Sequence, residues 1–370
     1  MTTALRRLPL PVRMAVVFIF SVAFAIAVAA LTGDSGYTVA AVTLAQAAVI
    51  SDDDLQAGVL ERFVIESPVL DRLPLKPIEG NSYRYNAEAT LPGVEFRAVN
   101  AAYSESTGTF VQASEGLVIL GGDADVDTFV QATRSNLTDQ LEAQIRLKVK
   151  AAAYKFQDAV FNGDVAVDAN SFDGLKKRLT GAQVIAAGTN GLPVVGNGGT
   201  DIQAFLDFLD QLIMAAKVTA DNGAIYANDL VIPRLVSAGR RLGLVTDGRV
   251  EVLPGITKTQ TLYRNIPVLD PGVKLDGTRI LPQTETQGAS SVTSSIYAVR
   301  FGEDEADGAV TGLVNTNHEG ANSIEEGLFA VKRLGEQQAK PAHRVRIEGF
   351  LGFATFGGQA AARGTGVLAS

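Results

Sequence analysis

Asp123, Asp125 and Asp127 alternate along the chain as carboxylates do in a loop that wraps a calcium ion. A loop of that kind starting at Asp123 wants glycine at position 128 and glutamate at 134, and this chain has Thr128 and Arg134. The three acids read better as the start of a long helix, where unpaired N–H groups favour negative charge. Gly196-Asn197-Gly198-Gly199-Thr200 follows the apolar Pro193-Val194-Val195 and resembles a phosphate-cradling turn that opens a helix. It fits neither the dinucleotide fingerprint nor a P-loop, and no lysine follows it, so a turn with a helix cap accounts for it.

Little else in the sequence has the makings of a reaction centre. His318 and His343 are the only histidines and do not stand at metal-ligand spacing. The chain has no cysteine, which removes disulfides, thiolate metal sites and cysteine nucleophiles together. No Gly-x-Ser-x-Gly elbow is present. No catalytic, cofactor-binding or metal-ligating residue is therefore expected, and no cofactor. Basic residues cluster twice, at Lys176, Lys177 and Arg178 and at Arg240, Arg241 and Arg249, in keeping with solvated faces, subunit contacts or a local DNA-facing patch. A net charge of −8 argues against holding phosphates over a broad surface.

What the sequence does specify is a shape. A polar stretch rich in Tyr, Asn, Ser and Thr reads as a long hairpin, with strands over 82–86 and 109–120 and turns at Leu91-Pro92-Gly93 and Ser106-Thr107-Gly108. From Val130 the apolar positions Leu137, Leu141, Ile145, Val149, Ala152, Phe156 and Val160 fall on one face of a helix that Asn162-Gly163-Asp164 ends. At roughly 1.5 Å per residue it would span about 50 Å, which makes it a strut and not one wall of a closed core. Before the hairpin, Ser51-Asp52-Asp53-Asp54 starts a short helix with Leu55, Val59, Phe63 and Val64 inward, and Leu73-Pro74 and Lys76-Pro77 impose an extended arm.

A length of 370 residues predicts two or more lobes. A second lobe begins near Ser171. There, Thr200-Asp201-Ile202-Gln203 reads as a capping box for a helix facing inward with Ile202, Phe205, Leu206, Leu209, Leu212 and Ile213. Asn228 caps another helix that carries Pro233 and runs to about Gly243. Strands follow at 262–263 and 295–301, and the tail reads as two long strands, 323–334 and 343–356, separated by a turn over 335–341. That antiparallel pair is available to pack against the long helix.

The front of the chain differs from the rest. Residues 14–31 carry no charge and follow Arg6, Arg7 and Arg13. This is the pattern of a signal peptide or a short membrane span. The alternative is translation starting at Val42 from a GTG codon, which leaves residues 1–41 outside the protein.

Several motifs in series resemble one family. They are Val42-Thr43-Leu44-Ala45-Gln46-Ala47-Ala48, Glu66-Ser67-Pro68-Val69-Leu70, Gly80-Asn81-Ser82-Tyr83-Arg84-Tyr85-Asn86, and Ala89-Thr90-Leu91-Pro92-Gly93-Val94. After them come Leu120-Gly121-Gly122-Asp123-Ala124-Asp125-Val126-Asp127, Phe161-Asn162-Gly163-Asp164, and Ser294-Ser295-Ile296-Tyr297-Ala298-Val299-Arg300-Phe301-Gly302. In this order, from Val42 to the C-terminus, they resemble the major capsid proteins of tailed bacteriophages. The resemblance implies the Hong Kong 97 phage capsid fold, an α+β fold with an N-terminal arm (42–80) and an extended β-hairpin loop (81–122). It also implies a peripheral domain with a long spine helix (123–170 and 302–370) and an axial domain (171–301).

The same resemblance implies a non-enzymatic head protein that assembles with itself into pentamers and hexamers of an icosahedral virion shell, in the host cytoplasm, around double-stranded DNA held by weak non-specific contact. Portal, scaffolding or decoration proteins would be further partners, and a membrane only if residues 14–31 are a real segment. Two alternatives stay open: an encapsulin-like shell around protein cargo, and a secreted or membrane-anchored surface protein. Some phages of this fold weld neighbours through a loop lysine and an asparagine. Here no lysine lies between Lys76 and Lys148, which implies a shell held without covalent links.

Overall fold

A computed structural model describes residues 42–43, 67–129, 140–196, 198–243, 247–253, 256–315 and 330–369. The chain divides into two compact units, Met1–Ala40 and Ala41–Ser370, and the described residues all fall in the second. The short helix expected at 51–67, the apolar run 14–31 and the first ten positions of the long helix expected from Val130 lie outside the described residues.

In chain order the elements begin with strands β1 (Val42–Thr43), β2 (Pro74–Ile78), β3 (Ser82–Thr90), β4 (Thr109–Gly116) and β5 (Val118–Asp127). Helices α1 (Gln140–Asn162) and α2 (Leu175–Arg178) follow, then β6 (Val184–Ala186), β7 (Leu192–Pro193), α3 (Gly199–Ala216), β8 (Gly223–Tyr226) and α4 (Val231–Leu242). Next are β9 (Asp247–Leu253), β10 (Ile256–Tyr263), β11 (Ile266–Leu269), β12 (Glu285–Gln287) and β13 (Ser290–Arg300). The chain ends with β14 (Val310–Asn315), β15 (Ala330–Gln337), β16 (Lys340–Thr355) and β17 (Ala361–Leu368).

Three sheets result. The first has the order β1-β2-β14-β16-β15, with β5 pairing along the other side of β16. The second has the order β6-β17-β13-β8-β11-β10-β9, extended by β12 on β13 and β7 on β17. The third is the isolated ribbon β3-β4. The strand expected over 109–120 is two strands that serve different sheets. β4 pairs with β3, the chain turns at Leu117, and β5 pairs with β16 from Val118↔Leu351 to Asp127↔Ala342.

The tail holds the two expected antiparallel strands. Their turn is shorter than expected because Gly335, at φ 74°, is taken into β15 as an irregularity between Arg333 and Gly335. The second sheet also takes the end of the chain. β17 pairs antiparallel with β13 and parallel with β6, so the last strand belongs with residues 184–300 and not with the preceding tail.

The stripe read from the sequence explains how α1 seats. Ile145, Val149, Ala153, Phe156 and Val160 are buried, at steps of three and four, and pack with Val345, Ile347, Leu351 and Phe353 of β16. Ala153, not Ala152, lies at the centre of that face. At roughly 1.5 Å per residue the 23 residues of α1 span about 35 Å. Its C-terminal end joins the two large sheets, since the Phe161 ring meets Tyr226 of β8 and Tyr297 of β13 edge to face, each at 5.3 Å between centroids. Gly163 and Gly174 then close the turn. A Cβ on Gly163 would lie 2.3 Å from the Phe172 carbonyl oxygen, and one on Gly174 would lie 2.4 Å from that of Ala159. No side chain fits between those backbones.

Helices α3 and α4 share a second core with β8, β10, β11, β13 and β17. The capping box expected at Thr200 is not made. The helix starts two residues earlier, behind Gly198 at φ 120°, and no side chain caps it. Phe208 is buried where Leu206, assigned to the inner face, is half-buried. Asn228 does precede α4, its Oδ1 accepting from the Leu230 N–H at 2.9 Å, and Gly243 ends the helix at φ 72°.

Candidate functional site

The β3–β4 ribbon is the part of the molecule that has no core of its own. Its register runs from Ser82↔Gly116 to Thr90↔Thr109, and only its root touches the body. Alternation sorts the root side chains. Tyr83, Tyr85, Ala113 and Glu115 are half-buried on the inner face, whereas Arg84, Gln112 and Ser114 point outward. Beyond the root, the two strands join through residues 91–108, which form no strand or helix.

That connection is organised by its own polar groups. The Gly93 N–H donates to Ser106 Oγ at 2.7 Å and the Ser104 N–H donates to Glu95 Oε1 at 2.6 Å. The backbone bond to Ser104 holds the Glu95 carboxyl below its ordinary pKa. Arg97 donates to the carbonyls of Ala98 and Ala101 and lies over the Tyr103 ring. With the polar groups turned on one another, the apolar ones face out: Leu91 is 80 % exposed, Val94 95 %, Val99 90 %, and Phe96 fully exposed at 108 %. Phe110 and Val111 continue the exposed apolar surface down β4. These residues form an exposed apolar surface at the ribbon's end.

The root is gripped on both strands. On β4, Glu115 is held bidentately by Arg178, Nη1 to Oε1 at 2.5 Å and Nη2 to Oε2 at 2.7 Å. On β3, the Tyr83 hydroxyl donates to Glu305 and accepts from Lys76 Nζ at 3.0 Å, and Lys76 also bridges to Asp304 at 2.8 Å. Burial opposes the Lys76 charge, but the bonds to Asp304 and Tyr83 outweigh it and raise its pKa. Burial and then the Glu305 carboxylate push the Tyr83 hydroxyl up. Tyr83 and Tyr85 both set their rings against Phe356, at 6.1 and 4.9 Å.

The residues singled out for chemistry serve packing instead. Asp123 and Asp125 do not start a helix; they lie on β5, opposite Arg346 and Arg344 of β16. Arg346 forks onto Asp123 at 2.8 and 3.0 Å, and Arg344 onto Asp125 at 2.6 and 2.8 Å, with Lys340 also on Asp125. The Arg344 and Lys340 hydrogen bonds hold the Asp125 carboxyl far below the usual carboxylate range, and Arg346 does the same to Asp123 to a lesser degree. Asp127 alone keeps a helix-start role, its Oδ1 accepting the Phe129 N–H at 2.8 Å.

Lys177 pairs with Asp164 and Lys176 with Glu285, so the basic run at 176–178 is spent within the chain. Arg240 and Arg241 are exposed in the last turn of α4, and the Arg249 side chain lies outside the described residues. The glycine-rich turn cradles no anion: a Cβ on Gly196 would meet Asp201 Oδ2 at 2.2 Å, so a carboxylate already fills that space. His343 is half-buried on β16, and His318 lies outside the described residues. Among the described residues no group of three His, Cys, Asp or Glu is placed to hold a metal ion, and no helix is long and apolar enough to cross a membrane.

No family model matches the sequence, and no curated protein matches it. The fold does have counterparts among solved structures. The holo-SrpI encapsulin complex from Synechococcus elongatus PCC 7942 matches with a TM-score of 0.58 at 17 % identity, covering 84 % of this chain and 88 % of that one. The capsid of a native GTA particle matches at 0.53 and 14 % identity, covering 82 % and 91 %. A protein of Mycobacterium phage Adephagia matches at 0.52 and 13 % identity, covering 81 % and 89 %. The chain has the Hong Kong 97 phage capsid fold, over most of its length and of theirs.

Proposed function

We propose that this chain is a non-enzymatic shell subunit, the major head protein of a tailed bacteriophage. It assembles with itself into pentamers and hexamers of an icosahedral shell that encloses double-stranded DNA. The observation that carries the reading is the ribbon at 82–116: a two-stranded hairpin is marginal alone, and this one displays Leu91, Val94, Phe96 and Val99 with nothing among the described residues to cover them. A second copy of the chain is the occupant that a self-assembling fold supplies.

In this reading residues 42–80 are the arm and the ribbon is the extended loop, narrowed from 81–122 to the 82–116 that leaves the body. The peripheral domain comprises 123–170 and 302–360 around α1. The axial domain comprises 171–301 together with β17. DNA contact is weak and non-specific, as the net charge of −8 requires.

Purified protein examined by light scattering and negative-stain microscopy is expected to form capsomers or closed shells. A strictly monomeric species at high concentration, across a range of salt, would overturn the reading. The likeness to an encapsulin complex supports a second reading, a shell around protein cargo. The contents of particles isolated from their native source separate the two: packaged double-stranded DNA supports the phage head, and a co-purifying protein with no nucleic acid supports the compartment.

A further inference from the structure

The ribbon meets the body at its root, where the Tyr83 and Tyr85 rungs both pack on it and the charged contacts act on the first of them. Tyr83 and Glu115 are directly opposite one another in the β3–β4 register, so their side chains project from the same face. Glu115 is taken by Arg178, and Tyr83 by Lys76 and Glu305. Arg178 has nothing to spare: besides both Glu115 oxygens, its Nη1 reaches Thr355 Oγ1 at 3.2 Å, its Nη2 the Phe353 carbonyl at 3.1 Å and its Nε the Asp173 carbonyl at 2.5 Å. One guanidinium thus ties β4 to β16 and to the turn before α2. The side chains of Arg178 and Glu115 are 18 % and 15 % exposed, so water screens this fork less than a surface pair.

The backbone does much less. At Leu117 the chain passes into the first sheet, and one bond, from the Leu117 N–H to the Asn81 carbonyl at 2.9 Å, closes the ribbon there. Past Tyr85 and Ala113, Asn86 and Thr90 of β3 and residues 109–112 of β4 are exposed. At roughly 3.3 Å per residue the nine residues of β3 carry the tip about 30 Å from the root. A tilt of about 5° at the root would move the tip by about 3 Å, as much as a hydrogen bond is long.

We propose that Arg178, acting through Glu115, and Tyr83 on the facing strand are positioning residues: they fix the direction in which the ribbon leaves the body and so set how one subunit meets the next. The link to shell geometry rests on the shell reading above; the link to ribbon direction does not. Lysine cannot replace the arginine, because only the planar fork reaches both carboxylate oxygens and the carbonyls beside them.

The chain has no cysteine, so Ala102→Cys at the tip and Gln203→Cys on α3 give two unique sites for spin labels. With labelled chain diluted into unlabelled chain, only the distance within one subunit is read. The parent is expected to show one narrow distribution. Arg178→Lys, and separately Tyr83→Phe, are expected to broaden it about two-fold and to give shells of mixed diameter or open sheets. Tyr83→Phe keeps the ring on Phe356 and loses only the hydroxyl, which guards against a variant that fails to fold. An unchanged distribution in both variants overturns the clamp, whether or not the parent assembles. A broadened distribution with shells of the parent's single diameter overturns the link from ribbon direction to shell geometry. A parent that shows one narrow distribution but never assembles sinks the shell reading and leaves the clamp standing.

Discussion

Three cations hold two carboxylates across the β5–β16 pair, and the consequence is a dependence on acid. Asp123 and Asp125 both titrate below their ordinary value of 3.8 in the folded chain. Their contribution is therefore complete above about pH 4 and is lost as the pH falls from there toward their folded values. Asp125→Asn is expected to lower the thermal midpoint near neutral pH, with a gap to the parent that closes as the solution is acidified below about pH 4. A gap that stays constant with pH would assign the loss to packing and not to charge. The same scale separates folding from association at the ribbon tip. Phe96 is fully exposed, so Phe96→Ser should leave stability within about 0.5 kcal/mol. The concentration needed for assembly should rise, as light scattering would show; unchanged assembly would remove Phe96 from the subunit contact.

The elements divide into those whose evidence is local and those whose evidence is not. The stripe of α1 was legible because a helix repeats its inner face every three or four residues, and the ribbon because its polar strands lie between Pro and Gly turns. The short strands β8 and β14 and the terminal β17 were not legible. β8 and β14 are brief and buried, without alternation, β17 is rich in small Ala and Gly, and the identity of all three comes from partners far along the chain. The roles of Asp125 and Glu115 were hidden for the same reason: their arginines stand 219 and 63 positions away. Sequence spacing placed the acids near a helix, and the sheet placed them against cations. Ile145, at 1 % exposure, lies within the stripe of α1. Ile145→Pro is expected to cost about 3 kcal/mol or more and to abolish assembly. The α3–α4 core should survive it, and limited proteolysis should leave a resistant core of residues 171–301 with β17 still bound. Normal shells from this variant would show that α1 is not a continuous spine.

At the scale of the whole molecule, the ribbon carries no lysine, and the amine nearest its root, Lys76, is already bound to Tyr83 and Asp304. Assembled particles boiled in detergent are expected to release a single band at monomer mass. A ladder containing peptides from 81–122 would show a covalent link made by other chemistry. The position of β17 has a consequence in time. It stands between β13 and β6 in the second sheet, yet it is synthesised after both of them. Until β17 has been synthesised, β13 lacks this partner and the α3 face lacks Val367 and Ala362 beneath it. A chain that stops before β17 therefore leaves that sheet and the α3 face unfinished. Completion of the second sheet thus waits on the order of synthesis, before any neighbour has been met.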